Sequence, residues 1–231
     1  MTAALEPIGL LRCGYRSKFG VPRQSGVVPQ ALARVEILPE FARPEAWRGL
    51  EEFSHLWLIT QFHQVPEDEI GLTVRPPKLG GNERRGVFAT RSPFRPNRLG
   101  LTVVKLEAIE QGAGSVVLRV SGVDLVDGTP VFDVKPYVRY ADSVPQAQSS
   151  FADAPPAPMA LRWQLQQGMQ APPAAHREWI EQSLAMLPQP AYHAPTQQRQ
   201  YAAEFDRWRL RWTLDENGVC VVGCEEIAPG Q

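Results

Sequence analysis

From Ile8 to Tyr140 the chain alternates short apolar runs, rich in valine, isoleucine, leucine and aromatics, with clusters of glycine, proline, asparagine and aspartate. Each run is long enough for a strand and too short for a typical helix, and each cluster supplies turn-forming backbone, so the segment reads as a β domain. Strands are predicted over Val27–Leu38, Ser54–Val65, Leu99–Glu110 and Val116–Val123. The last two are joined by Gln111-Gly112-Ala113-Gly114-Ser115, which reads as a hairpin connection. Gly112 and Gly114 lie between strands and open no helix, which excludes a dinucleotide fingerprint there. Many strands with few helices predict a closed or partly closed barrel, an arrangement that removes sheet edges and leaves a mouth for a small ligand.

After Tyr140 the pattern changes. Residues 141–158 are dominated by alanine, serine, glutamine, aspartate and proline with little apolar periodicity, and read as a linker or wrapped loop. Met159–Leu165 is compatible with a strand. His176–Leu187 places Trp179, Ile180, Leu184 and Leu187 at helical spacing behind the breaker Pro172-Pro173. Phe205–Thr213 and Val219–Ile227 read as a hairpin turning through Asp215-Glu216-Asn217-Gly218. The expected fold class is mainly β: a β-barrel domain over 1–140, a linker over 141–158 and a small α+β domain over 159–231.

Composition narrows this little. A chain of 231 residues can bury one good core and a small second one. Its 22 prolines are roughly twice the average share of about 5%, which favours turns and short strands over long helices. Cys13, Cys220 and Cys224 are too few and too odd in number for a disulfide framework, and Cys220 and Cys224 are not a Cys-x-x-Cys pair; buried thiols in a reducing cytoplasm are expected. With no apolar run of membrane length and no signal region, a soluble cytoplasmic protein is expected. His55 and His63 are eight apart on one predicted strand, hence on one face. Two histidines without further ligands at suitable spacing do not make a zinc site, and no metal is expected. There is neither a Gly-x-Ser-x-Gly elbow nor a phosphate loop ending in Gly-Lys-Ser/Thr, which argues against a typical hydrolase or nucleoside triphosphatase.

Charge changes the picture more. The formal net charge is only -1, yet residues 84–98 carry Arg84, Arg85, Arg91, Arg95 and Arg98 with no acidic residue among them. Phe88 and Phe94 are interleaved with these arginines. Guanidinium groups fork onto phosphate oxygens while aromatic faces stack on bases, so an anionic, nucleotide-like partner is indicated. A solvated arginine face paired with carboxylates elsewhere accounts for charge alone equally well.

Pro22-Arg23-Gln24, Phe53-Ser54-His55-Leu56-Trp57, the arginine-rich segment, Asp124-Leu125-Val126-Asp127-Gly128-Thr129-Pro130 and Val131-Phe132-Asp133-Val134-Lys135-Pro136-Tyr137 follow one another in this order. Together they closely resemble the TrmO (YaeB) family of tRNA methyltransferases. The resemblance runs from about Glu6 to Tyr140 and continues more weakly through Phe205–Trp212. It departs at Arg98, where the family usually carries a second proline in its Arg-Pro-Asn-Pro motif.

The resemblance implies an S-adenosylmethionine-dependent enzyme that N6-methylates threonylcarbamoyladenosine beside the anticodon, at position 37 of tRNA, acting as a homodimer with the cofactor near the interface. It further implies cofactor contacts from Pro22, Arg23, Gln24, His63, Gln64, Arg91, Leu101, Asp124, Leu125, Val126 and Asp127. Arg84, Arg85, Arg95 and Arg98 are then expected to hold the anticodon stem-loop. Read by themselves, Asp127-Gly128 is a structural turn and Pro22-Arg23-Gln24 an ordinary loop. The attacking nitrogen of the substrate is amide-like and poorly nucleophilic, so an acceptor for its proton would help. Asp133, Lys135 and Tyr137 alternate along one extended segment and are the candidate chemical residues; a polar strand face with Lys135 paired to Asp133 is the competing account. Two rival functions remain, a noncatalytic RNA-binding barrel and a sensor of an adenosine-like metabolite.

Overall fold

The computed structural model describes residues 5–187 and 199–228. In chain order its strands are β1 (Gly9–Cys13), β2 (Leu32–Ile37), β3 (His55–Gln61), β4 (Thr73–Val74), β5 (Arg85–Gly86), β6 (Leu99–Gly112), β7 (Ser115–Ser121), β8 (Thr129–Pro136), β9 (Leu161–Trp163), β10 (Gln200–Phe205), β11 (Trp208–Asp215) and β12 (Gly218–Glu226). One helix of three turns, Ala174–Ala185, stands between β9 and β10.

Strands β1-β2-β7-β6-β3-β8 close into a barrel, all neighbours antiparallel. Period-two patterning drives the closure: along β3, Leu56, Leu58 and Thr60 are buried while Trp57 and Ile59 are partly exposed. Leu11, Val35, Leu56, Leu58, Leu118 and Val131 are all fully buried inside, each contributing about 1.5–3 kcal/mol by leaving water. The β6–β7 hairpin pairs Gly112 with Ser115, and its Gly114 takes a φ of 75°, a left-handed value that suits glycine.

β8 carries one extra residue against β3. Ile59 faces Asp133 but Thr60 faces Val131, so Phe132 is bulged. Val131 therefore points inward, Asp133 and Lys135 outward beside Ile59 and Trp57, and Val134 packs toward the core opposite Leu58.

The C-terminal part forms a sheet of order β10-β11-β12-β9, with β9 parallel to β12. It joins the barrel through rings: Tyr15 lies edge-on to Trp179 at 5.3 Å, Trp179 to Phe205 at 5.6 Å, and the Tyr15 hydroxyl shares a 2.9 Å hydrogen bond with Ser183 Oγ. A Cβ on Gly14 would come within 2.7 Å of the Trp179 ring, so this junction requires glycine. Buried side chains run from barrel to sheet in one continuous cluster.

The mainly β class and the barrel agree with the sequence, but several boundaries do not. The predicted strand Val27–Leu38 starts only at Leu32, because the chain turns at Val28, where the carbonyl accepts Ala31 N–H at 3.1 Å. The predicted strand Ser54–Val65 stops at Gln61 in a tight turn that donates His63 N–H to Gln61 O at 2.8 Å. His55 and His63 therefore do not share a strand face. Phe205 ends β10 and does not begin β11; Asp206, with φ 55°, turns the chain between them. The helix is displaced by two residues to Ala174–Ala185, and β9 is shorter than Met159–Leu165. Residues 141–158 contain a turn in which Ala147 N–H donates to Val144 O at 3.0 Å, a single helical turn at Ser150–Ala152 and the last residues of a turn at Arg139–Asp142.

Candidate active site

The antiparallel register sends the loops after β1, β3 and β7 and those before β2, β6 and β8 to one end of the barrel. Residues 14–31, 62–98 and 122–128 therefore meet at a common mouth. Gly26 N–H donates to Gly122 O at 2.8 Å, and Phe62 N–H to Arg98 O at 2.8 Å. Most of the candidate cofactor residues are thereby gathered from distant parts of the chain.

Asp124 is the centre of the polar cluster. Its Oδ1 accepts a 2.6 Å hydrogen bond from Thr102 Oγ1, whose side chain points into the barrel. Burial pushes the Asp124 carboxyl above the usual carboxylate range; the Thr102 hydroxyl, the Arg91 charge and the Ser25 backbone N–H act against that rise. Arg91 also donates to Gln24 Oε1 at 2.5 Å, tying the arginine-rich loop to the Pro22–Gln24 loop. Pro22 itself is buried, whereas Arg23 and Gln24 are exposed.

Asp127 is held on three sides. Its Oδ1 accepts Cys13 N–H at 2.9 Å, its Oδ2 accepts Arg16 Nη1 at 2.8 Å, and its own N–H donates to Tyr15 O at 2.8 Å. Gly128 follows with φ 77°, completing the turn. Leu125 is only 4% exposed, so its side chain belongs to the core. Its carbonyl accepts the Cys13 thiol, which burial pushes up to about 12 and keeps neutral. Val126 O accepts Thr129 Oγ1 at 2.6 Å. His63 and Gln64 stand at the rim; partial burial holds the His63 imidazole below the ordinary histidine range.

Below the mouth, Thr60 Oγ1 is buried without a hydrogen-bond partner. Gly100 faces it: a Cβ there would lie 2.6 Å from that oxygen. Leu101 points the other way, 61% exposed on the outer wall, in one cross-strand row with Ile59 and Asp133.

The arginines differ in their commitments. Arg84 Nη1 reaches Thr73 Oγ1 at 3.4 Å, Arg85 pairs with Glu83 at 2.8 Å, and Arg95 Nη1 donates to Thr90 O at 3.3 Å. Arg98 donates to Val65 O at 3.1 Å and to Glu67 Oε1 at 3.3 Å, bracing the loop from inside. Its φ is 50°, and its N–H donates to Arg95 O at 2.9 Å. Proline can adopt neither feature, so the loop as built here requires another residue at this position. Phe88 is 75% exposed.

Asp133, Lys135 and Tyr137 lie on the outer wall, running away from the mouth. Lys135 Nζ stands 3.9 Å from Asp133 Oδ2, and the Tyr137 ring packs against Trp57 and His55 at 5.9 and 6.4 Å. Asp133 also borders a cleft of about 370 Å³ with Glu40, Phe41, Arg43 and Trp47, which contains none of the mouth residues. Among the described residues no group of three or more histidines, cysteines or acidic residues is placed to hold a metal ion. Sequence reasoning missed Thr102, Ser25 and Arg16. Thr102 had a legible signal, a hydroxyl at an inward position of an apolar strand; Ser25 acts through its backbone and Arg16 through a fold-dependent contact, and neither leaves a local pattern.

Two family models match in tandem: the tRNA-methyltransferase O N-terminal domain over residues 10–143, and the TrmO C-terminal domain over 156–227. The class so defined is a barrel-type tRNA methyltransferase with a C-terminal companion unit. The Escherichia coli tRNA (adenine(37)-N6)-methyltransferase is 41% identical, over 95% of this chain and 97% of the relative. A Pseudomonas aeruginosa relative, provisionally named S-adenosylmethionine-dependent methyltransferase RcsF, is 47% identical over 93% of this chain and 91% of its own. A crystal structure of TrmO from P. aeruginosa superposes with a TM-score of 0.77 at 37% identity, covering 98% of each chain. The chain belongs to the TrmO family.

Proposed function

We propose that the protein transfers a methyl group from S-adenosylmethionine to N6 of threonylcarbamoyladenosine at position 37 of tRNA, in the cytoplasm. One observation carries the reading: Arg91, inside the arginine-rich loop, is bonded to Gln24 and acts on Asp124, so the basic surface and the polar mouth are parts of one construction. The names of the E. coli and P. aeruginosa relatives support tRNA and S-adenosylmethionine respectively.

The residues at the mouth fit such a cofactor. Asp124 and Asp127 offer carboxylates to an amino group, Gln24 an amide to base edges, and Thr60 a buried hydroxyl that still lacks a partner. Pro22, Arg23, His63, Gln64, Leu101, Leu125 and Val126 complete the proposed cofactor set, Leu125 through its backbone. When bound, the cofactor supplies an activated methyl carbon on a positively charged sulfur. The chain's own residues then have to orient the attacking nitrogen and take its proton. Asp133, Lys135 and Tyr137 are proposed for that task, and Arg84, Arg85, Arg95 and Arg98 for the anticodon stem-loop. Because the three face outward, the proposal includes a homodimer in which this wall, with the exposed Leu101, meets a second copy. The division into a barrel domain over 1–140, a linker over 141–158 and a smaller domain over 159–231 belongs to the same reading.

Calorimetry of the full chain with S-adenosylmethionine, followed by incubation with defined tRNAs and nucleoside mass spectrometry, tests it. Binding and a methylated threonylcarbamoyladenosine are expected. No binding at millimolar cofactor by a folded sample would overturn the reading. Cofactor binding without transfer would point to the sensor, and tRNA binding without cofactor to the noncatalytic barrel.

A further inference from the structure

The C-terminal sheet touches the barrel beside Asp127. Tyr15 forms a β-bridge with Phe205, Arg16 N–H donates to Glu204 O at 3.3 Å, and Asp206 N–H donates to Gly14 O at 2.6 Å. These backbone contacts set Asp206, held in a left-handed turn, over the Arg16 side chain. Arg16 Nη2 then lies 3.6 Å from Asp206 Oδ1, while its Nη1 donates to Asp127 Oδ2 at 2.8 Å. The other Asp206 oxygen faces His176 Nε2 at 3.4 Å, from the start of the helix. One guanidinium thus joins a carboxylate of the C-terminal unit to a carboxylate of the mouth.

We infer that Arg16 and Asp206 are positioning residues, through which the C-terminal unit sets the geometry of the Asp124–Asp127 loop and so the affinity for the cofactor. Neither residue touches the reacting atoms. Asp127 has to present a fixed carboxylate and also cap the Cys13 N–H. An isolated aspartate on a turn would sample several rotamers; an arginine fork anchored at its far side removes that freedom. A guanidinium suits this because its planar fork can face two acids at once, which a lysine ammonium does less well. The inference rests on reading 124–127 as the cofactor loop, but its physical core, the hold of Asp206 on Asp127 through Arg16, does not.

The test uses Asp206→Asn, since asparagine tolerates the left-handed backbone and removes only the charge, together with Arg16→Lys, Arg16→Ala and the double variant Arg16→Ala/Asp206→Asn. Amide exchange by NMR on the unliganded full chain is read at Cys13 and Asp127. With ion pairs of this exposure worth about 0.2–1 kcal/mol, exchange at both amides is expected to quicken by about 1.5- to 5-fold in Asp206→Asn. The dissociation constant for S-adenosylmethionine should rise by a similar factor, with kcat at saturating cofactor unchanged and the melting temperature lowered by no more than about 2–4 °C. Arg16→Lys should recover part of the loss seen in Arg16→Ala, and Asp206→Asn should add nothing in the Arg16→Ala background. Unchanged amide exchange in Asp206→Asn, or an Asp206 effect that persists in full without Arg16, overturns the inference. Wild-type protein that fails to bind S-adenosylmethionine removes the cofactor reading, while the exchange data still decide whether the bridge holds the loop.

Discussion

The arginines of the 84–98 loop and those of the C-terminal sheet are similar in exposure and opposite in bookkeeping of charge. On the sheet, Arg209 meets Glu204 and Arg211 meets Glu225, both at 2.6 Å, and Arg207 meets Glu226 at 3.4 Å. Cross-strand neighbours carry opposite charge there, so the face is close to neutral. In the loop, Arg84, Arg91 and Arg95 instead reach a hydroxyl, an amide and a backbone carbonyl. Such neutral oxygens fix the direction of a guanidinium and leave its charge available to an outside anion. Counting arginines therefore does not locate a nucleic-acid surface; asking what each one holds does.

Two loop arginines do meet carboxylates, Arg85 on Glu83 at 2.8 Å and Arg98 on Glu67 at 3.3 Å, and Arg98 breaks the comparison most strongly because it also braces the loop through Val65 O. Arg98→Pro removes the bond to Arg95 O and forbids the left-handed backbone, and is expected to destabilise the protein by about 2–4 kcal/mol, read as a shift of the urea midpoint. Arg98→Ala should lower stability more than it lowers tRNA affinity. The loop's exposed charge, with Arg85 also shared by Glu83, is tested next. Replacing Arg84 and Arg85 by alanine should weaken tRNA binding about 10- to 100-fold at moderate salt and flatten the salt dependence by about 1.4–1.8 in log-log slope, as seen by filter binding at several salt concentrations. The double variant Arg209→Ala/Arg211→Ala should leave tRNA binding within about two-fold and lower stability by about 0.2–1 kcal/mol per pair.

The finest contrast is between two aspartates. Arg162 holds the Asp215 carboxyl below the usual range, whereas burial holds that of Asp124 above it. A lowered folded pKa gives stability that is present above the unfolded value and is lost as pH falls through the folded value. A raised one gives stability that is present at acid pH and is lost as pH rises through the folded value. Asp215→Asn should accordingly lose stability relative to wild type at pH 7 and approach it near pH 3. Asp124→Asn should gain on wild type between pH 4 and 7 while binding S-adenosylmethionine less well. Urea midpoints across that pH range decide both; parallel curves for the two variants would remove the contrast.

Much of this was legible beforehand. Period-two runs announced β3, β6 and β7, and Asp215–Gly218 announced the last hairpin, because turn residues and apolar alternation are local properties. β10 was not, since two alanines at the centre of Gln200–Phe205 blur the alternation and the strand gains its partner only when β11 folds back. The mouth was partly legible: Gln24, Arg91 and Asp124 came through family motifs, and the fold brings them together. Thr102 and Arg16 depend on which residues face each other across strands and across the two units, and no window of sequence carries that. The end of β3 was misread because Phe62 and Val65 continue the apolar pattern after the strand has turned.

The bulge at Phe132 has a consequence for how the gene can vary. Without it, strict alternation from Thr129 would carry Asp133 and Lys135 into the barrel and put Val134 in water. Losing the Phe132 codon itself would close the bulge, because Val131 and Asp133 would then stand next to each other opposite Thr60 and Ile59, and every face would be kept. Losing the Val134 codon instead would bring Lys135 to the inward place that Val134 holds opposite Leu58. Within 129–136 the place of a one-codon loss, more than its length, decides whether the outer wall survives.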